Sequence, residues 1–224
     1  MVTKSQIKQI KQLKYKKYRE KTGLFVAEGK KIVLDLLKAN LDFIYVFTTK
    51  INFGLDSHVI SKKDMSSLTH FKNGSDYLGV FVKPSVNHKM LNKNRTLIAL
   101  DEISDPGNLG NIIRTCDWFG VNHIICSKNS VDCYNPKVVQ ASMGSISRVF
   151  CHYMDIPKFI KKNNYKIYVT DLNSKSIYET RFEKKSILIF GSEANGVSDM
   201  VIKYSDEKIS IPKSGKNKNI DSLN

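Results

Sequence analysis

Apolar positions follow one pattern up to about residue 82 and a different one from residue 95 onward. Residues 4–21, KSQIKQIKQLKYKKYREK, place Ile7, Ile10, Leu13 and Tyr18 along one face at helical spacing, with eight Lys and Arg on the rest. This spacing predicts a basic amphipathic helix. After Gly23 comes the short apolar run LFVAEG, then a helix over Lys30–Asn40 with a stripe of Ile32, Val33, Leu36 and Leu37. Phe43–Thr49 and Asp76–Val82 read as strands from their β-branched and aromatic content, with a short helix near Lys62–Thr69 between them. These elements make a small αβ domain over residues 1–82. The segment KPSVNHKMLNKN, 83–94, loses the apolar pattern and reads as a linker.

From residue 95 strand and helix alternate. The strands are Leu97–Leu100, His123–Ser127, Val149–Tyr153, Lys166–Leu172, Ser186–Glu193 and Lys208–Pro212. Between them lie a helix carrying Leu109, Ile112, Ile113, Cys116 and Phe119 at helical spacing, a second from Pro136 to about Arg148, and a third over Pro157–Asn163. Continuous apolar strands separated by helices predict a mostly parallel sheet covered on both faces. Residues 213–219, KSGKNKN, form a polar loop.

Charge adds a partner to this picture. The net charge is +15, and it is uneven: residues 1–94 hold 18 Lys and Arg against 7 Asp and Glu, or +11. A basic surface of this kind attracts polyanions, RNA or DNA above all. A lysine-rich solvated surface from biased composition is the plain alternative. There is no apolar run of the roughly 18 residues a membrane span requires, and the start, MVTKSQIKQIKQ, lacks a secretory core. The expectation is a cytoplasmic protein with no membrane partner. Cys116, Cys126, Cys133 and Cys151 form no C-x-x-C pair and have no His at ligand spacing, so they read as thiols and no metal is expected.

Candidate chemistry concentrates in LIALDEISDPGNLGNIIRTCDWFG, 97–120. Gly107 and Gly110 allow a tight turn and close ligand approach, and the N–H groups of the new helix offer an anion site at the strand's carboxyl end. Arg114, about one turn into the helix, can address whatever the loop holds. An ordinary βα unit with an Asn-capped helix and a solvated Arg reads equally well from these residues. The chain lacks G-x-x-x-x-G-K-[ST], G-x-G-x-x-G and H-E-x-x-H, which argues against ATP hydrolysis and hydride transfer. Three loops remain, each after a strand: PGNLGNIIRT (106–115), FGSEANGV (190–197) and IPKSG…DSLN (211–224).

In that order the three loops resemble the motifs of the SpoU-type ribose 2′-O-methyltransferases of the SPOUT superfamily: N-x-G-x-x-x-R-T, G-x-E-x-x-G and I-P-x-x-G…S-L-N. LKYKKYREKTGLFVAEGKK, 13–31, is similar to the family's N-terminal L30e-like substrate-binding module. The resemblance implies an α/β fold of SPOUT type, with a trefoil-knotted parallel sheet carrying helices on both faces, after a small L30e-like αβ domain. It also implies a homodimer and S-adenosylmethionine held by the knotted loops.

Methyl transfer from a sulfonium to a ribose hydroxyl needs alignment and proton removal, and no metal. By resemblance Arg114, Asn108, Glu193, Ser222 and Asn224 are catalytic. Because a guanidinium stays charged, we expect Arg114 to clamp the adjoining phosphate and stabilise the alkoxide, with that phosphate or water taking the proton. Gly191, Gly196, Ile211, Ser222 and Leu223 are expected at the cofactor, and Lys11, Lys14, Lys16, Lys17 and Arg19 on RNA. His123 and His152 carry no motif and read as ordinary histidines.

Two features depart from the family pattern: Lys213 replaces a frequent Met, and the loop between Gly215 and Ser222 is long. Family members also continue past S-L-N into a closing helix, so the 95–224 domain reads as truncated at its C-terminus. The leading function is a 2′-O-methyltransferase of ribosomal RNA, favoured over transfer RNA by the N-terminal module. An inactive RNA-binding protein on the same scaffold is the alternative from another class, and a generic nucleotide-binding α/β enzyme is a third.

Overall fold

The computed structural model describes residues 2–51, 57–93 and 96–212. Two compact units divide the chain. One comprises the chain up to Ser85 together with Leu109–Phe119 and Asp132–Arg148; the other comprises Val86–Asn108, Gly120–Val131 and the chain from Val149 on. Two stretches beyond residue 95 in sequence thus belong to the first unit.

The N-terminal helix is broken. α1 (Lys4–Gln12) opens on a capping box in which Thr3 and Gln6 satisfy each other's backbone N–H groups. It stops at Leu13, and α2 (Lys16–Thr22) ends at Gly23 in the left-handed conformation, φ 69°. The break has a visible cause. Arg19 turns its guanidinium inward, donating to the carbonyl oxygens of Leu13 and Lys14, both at 2.8 Å, so those carbonyls leave the helical ladder.

β1 (Leu24–Glu28), α3 (Lys30–Lys38), β2 (Phe43–Thr48), β3 (His58–Val59), α4 (Lys62–Leu68) and β4 (Tyr77–Val82) follow. They form a four-stranded sheet in the order β1-β4-β2-β3, with β4 antiparallel to both β1 and β2 and β3 parallel to β2. Ile10, Leu13, Val26, Phe47, Leu68 and Leu78 lie in its core. A buried polar cluster closes this unit: Glu28, 4% exposed, accepts from Thr69 Oγ1 and the His70 N–H. Burial holds the Glu28 carboxyl above its usual range.

The segment 83–94 is more than a linker. Residues His88–Lys93 wind into a 3-10 turn, and Leu91, 1% exposed, enters the second unit's core.

The second sheet holds six strands: β5 (Thr96–Leu100), β6 (His123–Ser127), β7 (Phe150–Met154), β8 (Lys166–Ser176), β9 (Ser186–Phe190) and β10 (Glu207–Ser210). Their order is β10-β8-β9-β5-β6-β7, and every pairing is parallel. Leu97 and Ala99 of β5, Ile167 and Val169 of β8, and Ile187 and Ile189 of β9 share one core at alternate positions, the spacing of one sheet face. The connecting helices are α5 (Pro106–Trp118), α6 (Pro136–Ser142), α7 (Ile156–Lys162) and α8 (Asp199–Ile202). α6 is shorter than its apolar pattern predicts: Met143 and Gly144 both take positive φ, and a 3-10 turn over Ser145–Ser147 replaces its last turns. Phe119, expected in the stripe of α5, is 75% exposed because the helix ends before it.

Candidate active site

In the second sheet the chain runs outward from β5 to β6 and β7, then returns on the other side through β8, β9 and β10. β5 and β9 are therefore neighbours whose onward connections leave in opposite directions, which is the switch point where open α/β sheets bind ligands beyond the carboxyl ends of their strands.

Both loops at this point are held by side chains. After β5, Glu102 sits at φ 57°, a strained position for a residue with a Cβ. Its N–H donates to Ser127 Oγ at 2.8 Å, and its carboxylate accepts from Asn129 Nδ2 at 2.9 Å. Asp105 Oδ1 accepts the Asn108 N–H at 2.8 Å and so caps α5. The cap is Asp105 and not Asn108, and the anion site expected at this helix start is partly filled by the chain's own carboxylate.

After β9, residues 191–197 form a tight loop. Ser192 and Gly196 exchange two backbone hydrogen bonds of 2.9 Å, and Gly196 takes φ 65°. A Cβ on Gly191 would lie 1.9 Å from the Gly196 carbonyl carbon, so the loop's own backbone demands glycine there. Gly110 likewise serves packing: a Cβ would fall 2.4 Å from Ala141 Cβ in α6. Its smallness is spent on helix contact and not on a ligand.

Across the switch point Asn108 Nδ2 donates to Glu193 Oε2 at 3.4 Å, joining the first and second sequence motifs. Glu193 is exposed and Asn108 half-buried. Arg114 stands on an exposed face of α5, and Ile211, 44% exposed, follows directly on β10. Ser222, Leu223 and Asn224 lie outside the described residues.

Sequence reading passed over Asp101. This carboxylate at the end of β5 is 4% exposed and accepts from Ser198 N–H at 3.0 Å and Ser198 Oγ at 2.7 Å. It thereby ties the loop after β9 to β5. The available signal was an acid closing an apolar strand, a place where a carboxylate has to find donors.

Residues 95–224 match the model of the SpoU rRNA Methylase family. The chain belongs to that family. As a SpoU family member it also matches, over residues 4–73, the MRM3-like substrate binding domain. It is 26% identical over 205 residues to 23S rRNA (guanosine(2553)-2′-O)-methyltransferase RlmP of Bacillus subtilis, covering 87% of this chain and 82% of that protein. The human mitochondrial rRNA methyltransferase 3 is 27% identical over 175 residues, which span 68% of this chain and 41% of the human protein. The AdoMet-bound rRNA methyltransferase of Sinorhizobium meliloti shares the fold with a TM-score of 0.82 at 26% identity, over 100% of this chain and 90% of that one. The family read from three loops and the mixed α/β fold with its parallel sheet both hold.

The basic N-terminal surface of this SpoU protein is narrower than expected. Lys11, Lys14, Lys16 and Lys17 are exposed, with the Lys11 ammonium also donating to the Thr69 carbonyl at 2.5 Å. Arg19 does not belong to the surface: it is 1% exposed and ion-paired to Asp132 at 2.7 Å. His152, fully buried, lies between two other histidines, with Nδ1 3.1 Å from His88 Nδ1 and Nε2 3.1 Å from His123 Nδ1. Among the described residues no group of three or more His, Cys, Asp or Glu could hold a metal ion, and no helix is long and apolar enough to cross a membrane.

Proposed function

We propose that this chain transfers the methyl group of S-adenosylmethionine to a ribose 2′-hydroxyl of ribosomal RNA of the 23S type. The meeting of Asn108 and Glu193 at the β5–β9 switch point carries this reading. It is supported by a relative named for 2′-O-methylation of 23S rRNA and by an AdoMet-bound neighbour of the same fold.

The residues at the switch point fit a nucleoside cofactor. Glu193 and Asn195 are exposed polar groups there, and nothing lies within 4 Å of a Cβ placed on Gly196. Gly191, Gly196, Ile211, Ser222 and Leu223 would hold the cofactor, which supplies an electrophilic methyl carbon when bound.

The chain's own residues then position the acceptor. Asn108 faces the substrate ribose, and Glu193 fixes the orientation of its amide. Arg114 clamps the phosphate beside the target hydroxyl and stabilises the alkoxide as the proton leaves to that phosphate or to water. Ser222 and Asn224 complete the catalytic set. Residues 1–82 bind the RNA, 83–94 join, and 95–224 carry the chemistry. The C-terminal stretch passes through a trefoil knot, two copies pair, and the enzyme works in the cytoplasm.

The test is transfer of labelled methyl from S-adenosylmethionine to ribosomal RNA followed by alkaline hydrolysis. A methylated 2′-oxygen cannot attack the adjoining phosphate, so the label is expected in alkali-resistant dinucleotides. Label in mononucleotides would mean base methylation and would overturn the reading.

A further inference from the structure

The break between α1 and α2 makes a surface that the lysine count alone does not describe. Lys14-Tyr15-Lys16-Lys17-Tyr18 occupies the bend, and Tyr15 is 57% exposed. Tyr15 and Tyr18 stand with ring centroids 6.4 Å apart and planes tilted by 59°, and the Lys17 ammonium lies 5.1 Å from the Tyr18 centroid. An aromatic ring left in water among three exposed lysines has no role in the core. The bend itself is rigid, because buried Arg19 takes the carbonyl oxygens of Leu13 and Lys14 and is anchored by Asp132. The ring is thus presented on a fixed turn at little cost in ordering.

We infer that this bend is a stacking platform for an unpaired RNA base, with Tyr15 taking the base and Lys14, Lys16 and Lys17 the flanking phosphates. Charge complementarity selects a polyanion, since residues 1–94 carry a net +11. The exposed ring selects a strand whose bases are free to leave their stack, because in an A-form duplex the base faces are already covered. The surface therefore discriminates by structure and not by sequence, and it directs the protein to a loop or bulge next to helical RNA. This rests on the reading of the chain as an RNA-modifying enzyme.

The experiment measures binding of the full chain to a labelled single-stranded oligoribonucleotide and to the same strand annealed to its complement, over a range of salt. Tyr15→Ala is expected to weaken single-strand binding about tenfold. Duplex binding and the salt slope should stay unchanged, and Tyr15→Phe should bind as the parent does. Neutralising Lys14, Lys16 and Lys17 should instead flatten the salt slope on both probes. Unaltered single-strand binding by Tyr15→Ala, or equal losses on the two probes with the circular dichroism spectrum preserved, would overturn the inference alone. Failure of the parent chain to bind either probe would overturn the RNA reading with it.

Discussion

Asp101, closing the central strand of the second sheet, accepts both the backbone N–H and the hydroxyl of Ser198 from the far end of the loop that carries Glu193. Two donors on one buried carboxylate make this the tie that sets where the loop lies. Asp101→Ala should lower stability by about 2 kcal/mol, since it removes a charged acceptor from buried donors. It should also weaken S-adenosylmethionine binding about tenfold. Ser198→Ala, which leaves the backbone donor in place, should cost about 1 kcal/mol. Calorimetric titration and urea unfolding check both values, and unchanged cofactor affinity in Asp101→Ala would show that the tie is structural only.

Glu193 and Arg114 are exposed, so replacing them should disturb chemistry and not folding. Glu193→Ala and Arg114→Ala are each expected to keep unfolding free energy within about 0.5 kcal/mol of the parent. Methyl transfer should fall by at least about 100-fold in Arg114→Ala, the size of loss typical when a preorganised charge-stabilising donor is removed. Glu193→Gln should retain more activity than Glu193→Ala, because an amide oxygen still accepts from Asn108. Equal activity of the two Glu193 variants would remove Glu193 from the positioning role.

Legibility in the sequence followed the reach of the interactions. Apart from β3, whose two exposed residues make no apolar run, the strands of both sheets showed through their apolar runs. The loops of Asn108 and Glu193 were legible because each follows directly on a strand; the pairing of those two side chains was not. What stayed hidden depends on partners far along the chain. Arg19 reads as one more cation in a basic helix until Asp132, 113 residues away, is brought against it. The same guanidinium, by taking the carbonyl oxygens of Leu13 and Lys14, breaks the helix that an uninterrupted periodicity predicted over residues 4–21. Leu91 looked like part of a polar linker because a single buried residue makes no period. Gly110 and Gly191 were visible as glycines, but sequence could not tell ligand approach from a neighbouring backbone or helix.

The Arg19–Asp132 pair separates stability from RNA contact. Both side chains are largely buried, so removing one partner strands a charge. Arg19→Ala and Asp132→Ala should each destabilise the protein by about 3 kcal/mol in urea unfolding, and replacing both by apolar residues of similar size should restore part of the loss. Arg19→Met should leave the salt slope of RNA binding unchanged in the fraction that is folded. A slope reduced by about one unit would return Arg19 to the phosphate-binding surface.

His152 gives the protein an acid limit. Burial, reinforced by His123 and His88, lowers its pKa from 6.5 to about 4, and burial does the same to His70 in the other unit. Between these values the unfolded chain holds a proton at each site that the folded chain does not. Stability attributable to each site is therefore complete above about pH 6.5 and drains away as pH falls, by about 1.4 kcal/mol for each pH unit, until about pH 4. In His152→Gln, whose amide can still hydrogen-bond but does not titrate, the loss between pH 7 and pH 5 should be smaller than in the parent by about 2 kcal/mol. Urea unfolding of both proteins at the two pH values measures it. Equal losses in parent and variant would mean that His152 takes up no proton on unfolding, and the acid sensitivity would then belong to His70 and His123, whose pKa values burial also lowers.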